Sequence, residues 1–174
     1  LMALGEAAVS FAGRANGQHT DSTAEFLGRS GLKIANRAMV QDPTQYTVRF
    51  ALLLQSRAGQ LQKQREYDAA FDLAQHSYRL LRQDDSPTSN WRAARSLERM
   101  AEISLASDKP DQAVAIYRDV AELYASIGRR NMPLGAAIEP ARALRVLAEH
   151  LLVHGDPREA DHVASQAVRQ LGRL

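Results

Sequence analysis

Cysteine is absent from all 174 residues, so neither disulfides nor thiolate chemistry can hold or operate this chain. That fits a reducing compartment, and a cytoplasmic location is the expectation. No apolar run approaches the roughly 20 residues needed to span a bilayer. The stretch Leu1–Ala12 is apolar enough to suggest a signal peptide. Glu6 interrupts it and no basic residue precedes it, so it reads as a first helix instead. Aromatic residues make up only 6%, and strand-like runs of period two are missing. Lysine is scarce: 3 against 19 arginines, interleaved with 20 acids for a net charge of +2. A nucleic-acid binder concentrates positive charge with few acids nearby. Here Glu98 and Glu102 sit beside Arg92, Arg95 and Arg99, and Glu149 beside Arg142 and Arg145. Nucleic-acid binding is not expected, because phosphate contacts need net attraction over the whole footprint.

Groups that carry chemistry are equally sparse. Gly28–Arg29–Ser30–Gly31 lies inside a predicted helix and follows no strand, so it is no nucleotide loop. His150 and His154 lie four apart on one helix face, with Asp156 and His162 nearby. A structural metal site needs about four ligands, and the HExxH order is absent. Charged histidines near a helix C-terminus are the simpler reading. Nothing groups a serine, a histidine and an acid. The expectation is a protein that is not an enzyme, with no cofactor and no metal.

What is present is a recurring pattern. An alanine follows a short polar or proline turn, with small and apolar residues at fixed offsets. Ala70, Ala113 and Ala160 are its anchors, 43 and 47 residues apart (113 − 70 and 160 − 113). Before the last anchor, Leu144, Leu147, Ala148 and Leu151 keep helical spacing. Gly155 suits a left-handed helix stop, and Asp156–Pro157 can cap and begin the next helix. Leu97, Met100 and Ala101 precede Ala113 and Tyr117 in the same way, and Leu54, Ala58 and Leu61 precede Ala70 and Ala74. A fainter copy has Ala8, Phe11, Ala12 and Ala15 before Ala24. Self-similarity at this period marks stacked helical hairpins. Start and stop signals at Thr20–Asp21–Ser22 with Glu25, Asp42–Pro43, Ser86–Pro87, Asp108–Lys109–Pro110 and Asp156–Pro157 predict eight helices. They fall near 3–15, 22–40, 43–63, 66–83, 87–106, 110–128, 134–154 and 157–171. Asn131–Met132–Pro133 makes the start of the seventh irregular, and Pro140 either begins it or kinks it.

These residues resemble the tetratricopeptide-repeat family, through Leu144, Leu147–Ala148, Leu151, Gly155, Ala160 and Ala167, and through Leu97, Met100–Ala101, Ala113 and Tyr117. The usual repeat is 34 residues, so the helices here must be extended. That is similar to long-repeat arrays attached to bacterial signal-transduction ATPases and transcription regulators. The second hairpin departs at Arg57, where the family has an apolar residue, and Ala164 stands where an aromatic is usual. The resemblance implies an all-α fold, a right-handed α-solenoid of about four antiparallel hairpins (1–41, 42–84, 86–129 and 132–174). It forms a single domain, 1–174, expected to be a fragment of a larger protein.

The resemblance also implies a concave groove lined by the first helix of each hairpin, where a protein or peptide partner lies. Transferred to this chain, that surface comprises Gln55, Gln62, Lys63, Arg95, Glu98, Glu102, Arg142, Arg145 and Glu149. Arginine can grip a carboxylate bidentately, so an acidic partner is expected there. The alternative is that the glutamates neutralise these arginines within the array. The competing functional reading is an architectural segment that packs on an effector domain or self-associates through its terminal helices, since Val163, Val168, Leu171 and Leu174 leave the last helix partly apolar.

Overall fold

The computed structural model describes residues 1–15, 21–127 and 137–172. Thr20–Asp21–Ser22 as a capping turn, Asn131–Met132–Pro133 and Leu174 fall outside what it describes. Among the described residues the chain is all-α, with no strand. The helices are α1 (Met2–Ala15), α2 (Asp21–Gln41), α3 (Pro43–Lys63), α4 (Tyr67–Leu81), α5 (Pro87–Ala106), α6 (Pro110–Ile127), α7 (Glu139–His154) and α8 (Pro157–Leu171).

The predicted caps are made by side chains. Asp42 Oδ1 accepts from Gln45 N at 3.1 Å, Ser86 Oγ from Ser89 N at 3.2 Å, and Asp156 Oδ1 from Arg158 N at 2.9 Å. Each satisfies a donor that the first helical turn leaves unpaired. Pro43, Pro87 and Pro157 follow in the first turn, where the missing N–H costs nothing. Pro140 likewise begins α7, which starts at Glu139 and not near 134. Gly155 corrects the expected helix stop: its φ is −138°, outside the left-handed region. That conformation is held instead by Arg65 (φ 64°) and Asp108 (φ 59°), in the turns after α3 and α5. There the N–H of the next residue reaches back to close the helix, Glu66 to Leu61 O at 3.0 Å and Lys109 to Ser104 O at 2.9 Å.

The helices pack as hairpins, α1 with α2, α3 with α4, α5 with α6 and α7 with α8. They group into two compact units, residues 1–81 and 82–174. In the first unit α3 packs on α1 and α2; in the second α7 packs on α6. This is stacking of the α-solenoid kind. Small residues sit where paired helices cross. Ala58 and Ala70, Ala101 and Ala113, and Ala148 and Ala160 are all buried. Each alanine of the first helix precedes its partner by 12 residues, which gives these three hairpins one register. The α1–α2 crossing is tighter still. A Cβ on Gly5 would come within 2.6 Å of the Gly31 carbonyl oxygen, so both glycines are needed for the approach.

Arg57, where the resemblance implied an apolar side chain, is buried at 2% exposure. Its guanidinium occupies the notch left by Gly28, where a Cβ would meet Arg57 Cζ at 2.7 Å. It donates to Gln60 Oε1 at 3.0 Å, and Gln60 Nε2 donates to the Val9 carbonyl at 3.1 Å. Burial lowers the Arg57 pKa despite Glu66 and Glu25 nearby.

Candidate functional site

The predicted concave residues divide between the two units. Gln55 and Gln62 are half-buried on α3 and engaged in polar contacts, and Lys63 is exposed at the end of that helix. The other six lie in the second unit, where Arg95, Glu98 and Arg142 come together in one cluster. Glu98 on α5 is buried at 5% exposure. Its carboxylate accepts from Arg95 Nη1 at 2.6 Å and from Arg142 Nη2, one helix over on α7, at 3.0 Å. Glu139 closes the cluster, accepting from Arg142 Nε at 2.7 Å and Arg95 Nη1 at 3.4 Å. Arg99 pairs with Glu102 at 2.8 Å, and Arg145 with Glu149 along α7.

Burial pushes the Glu98 carboxyl up, outweighing the pull of Arg95 and Arg142. The Tyr117 hydroxyl, buried beside Glu102 and Glu98, is pushed to about 12. Tyr124 is raised further by burial, and its hydroxyl has no hydrogen-bond partner among the described residues. The charges on α5 and the N-terminal half of α7 thus serve mainly to seat α7. The His150 ring stacks on Tyr117 with centroids 6.0 Å apart, and His154 continues the stack at 6.5 Å.

An open surface begins where that seating ends. On the far side of α7, a groove of about 440 Å³ runs between α7 and α8. Ala141, Ala148, Ala164 and Ala167 make its floor, and Leu152, Val168 and Leu171 its walls. Arg142, Arg145 and Glu149 stand along one rim. Leu152 and Val168 are 64% and 68% exposed, a cost that apolar walls normally avoid. The rim charges were among the residues expected on the first helices of the hairpins; this groove between α7 and α8 was not expected. Its signal was available in Ala164, Val168 and Leu171, spaced four and three apart along α8.

This groove is the last hairpin's version of a filled one. Shifting Arg95, Glu98, Glu102, Tyr117 and Tyr124 by the 47-residue period gives Arg142, Arg145, Glu149, Ala164 and Leu171. The first set is packed under α7; the second is open. An open groove, mainly apolar, thus remains on the last hairpin. It offers no converging acid, base or nucleophile.

No protein-family model matches the chain, and no curated protein matches it. Among solved structures it is similar to a chain titled "DHF58 filament", with a TM-score of 0.64 and 15% sequence identity over 99% of this chain and 91% of that one. At that identity the likeness shows the all-α fold. Among the described residues, no helix is long and apolar enough to cross a membrane.

Proposed function

We propose that this chain is a non-catalytic helical-repeat scaffold, of the tetratricopeptide kind, that docks a partner's helix in the α7–α8 groove. The observation that carries the reading is the equivalence of this groove to the surface on which α7 itself is seated. A small-residue floor lets a helix approach closely, and apolar walls supply the burial that holds it. A concave charged groove is the weaker form of the idea. Arg95 and Arg142 already spend their donors on Glu98 and Glu139, which leaves less for an acidic peptide. A second reading, self-association, draws support from the filament of the structural neighbour's title, said of that protein.

The test is a titration of the labelled protein with a short stapled helix bearing an alanine stripe and one flanking leucine. Amide shifts should concentrate at Ala148, Ala164, Val168 and Leu171. Val168→Asp should abolish them, while Arg95→Glu leaves them. If Arg95→Glu with Arg142→Glu removes binding and Val168→Asp does not, the groove is the wrong site.

A further inference from the structure

We infer that the groove's partner is an acidic amphipathic helix of another protein, one that sets a carboxylate against Arg145 and an aromatic ring over Ala164. The inference deepens the reading of the groove as a helix socket and rests on it. It follows from what α7 presents to the equivalent face of α5 and α6. There Arg142 of α7 donates to Glu98 at 3.0 Å, and Ala143 lines the cleft beside it. The His150 ring lies flat against Tyr117, with centroids 6.0 Å apart and planes 11° from parallel. A helix seated like α7 in the α7–α8 groove would meet Arg145 in place of Glu98 and Ala164 in place of Tyr117, each 47 residues on (145 − 98 and 164 − 117).

Both replacements specify the partner. Arginine for glutamate reverses the sign, so an acid is the complement in the place of Arg142. Arg145 is available to it: its guanidinium pairs with Glu149 along α7, and the two side chains are 60% and 55% exposed. An exposed pair of that kind is weak, and it exchanges for a carboxylate brought in by a helix that also covers the apolar walls. Alanine for tyrosine takes a phenol ring out of the floor. The residue in the place of His150 therefore has room for a larger ring, a buried aromatic anchor of the sort that dominates binding interfaces. The partner helix thus carries Asp or Glu, a small residue next to it, and Phe, Tyr or Trp eight residues after the acid (150 − 142). Among the described helices of this chain, none has an acid with Phe, Tyr or Trp eight residues further along the same helix. That favours another protein over a second copy.

The experiment titrates the 174-residue chain into fluorescein-labelled stapled helices and reads anisotropy. The first probe is the alanine-stripe helix with glutamate at one site and tryptophan eight residues on. The second has arginine in place of the glutamate, and the third has alanine in place of the tryptophan. The first should bind roughly tenfold tighter than the second, a gap that narrows with salt, and at least about tenfold tighter than the third. Arg145→Glu should invert the charge preference, and Ala164→Tyr should erase the preference for the ring. Both positions are exposed, so the fold is spared, and unchanged circular dichroism checks that it is. Equal affinity for the glutamate and arginine probes overturns the inference, as does an Arg145→Glu variant that keeps the wild-type preference. If the plain alanine-stripe helix still binds in that case, the groove reading survives; if no helix binds, both fall. Sedimentation velocity of the wild type covers the other occupant. Self-association that Val168→Asp abolishes, and that excludes the first probe, makes a second copy the occupant and overturns the inference.

Discussion

Glu98 is the residue on which the second unit's charges converge, and its burial gives it a measurable signature. Its carboxyl pKa is raised by desolvation in the folded state, with Arg95, Arg142, Glu139 and Glu102 facing it. A raised carboxyl pKa means the folded chain holds its proton more tightly than the unfolded one. The stabilising contribution is fully present below the unfolded value, and it is lost as pH rises through the folded one. Wild type should therefore lose stability relative to Glu98→Gln as pH rises from about 4.5 toward neutrality, read from denaturant midpoints of the two proteins. Tyr124 tests a different balance. Its hydroxyl is buried and unpartnered among the described residues, so Tyr124→Phe removes a desolvated polar group and no hydrogen bond. The expected change is between zero and about 1 kcal/mol of added stability, against the several kcal/mol that Tyr124→Ala would cost by opening a cavity.

At the scale of the helix, close crossings set the tolerances. Gly→Ala in an exposed helix interior normally stabilises by about 1 kcal/mol. At Gly5 or Gly31 the added Cβ meets backbone oxygen at 2.6–2.7 Å, and backbone cannot swing aside. Overpacking costs of about 1–3 kcal/mol should win, so Gly31→Ala should lower the melting temperature. Ala113→Leu, at a fully buried crossing, should cost a similar amount. The elements themselves were largely legible in the sequence. Asp42, Ser86 and Asp156 announce helix starts through local hydrogen bonds, and the anchors Ala70, Ala113 and Ala160, each soon after a short turn, announce the hairpins. Whether Glu98 and Arg142 face a ligand or neutralise each other was left open by the sequence, because 44 positions separate them and no local pattern shows that they meet. Arg57 was illegible for the same reason: the Gly28 notch that admits it lies on another helix.

For the whole molecule, the division into two compact units carries a consequence for unfolding. Residues 82–174 form a compact unit with their own buried set. Expressed alone, that segment should keep its helical circular dichroism and melt cooperatively, as nearest-neighbour stabilisation in repeat proteins permits. A fragment that is a random coil at room temperature would sink this expectation. Chains made of similar hairpins risk docking the wrong hairpin while they fold. Glu6–Arg49 and Arg95–Glu139 run in opposite electrical senses. If α7 settled on α1 during folding, Glu139 would confront Glu6; if α3 settled on α5, Arg49 would confront Arg95. Each pair contributes at most about 1 kcal/mol to the native state, and mispairing would replace that attraction with a repulsion of similar size.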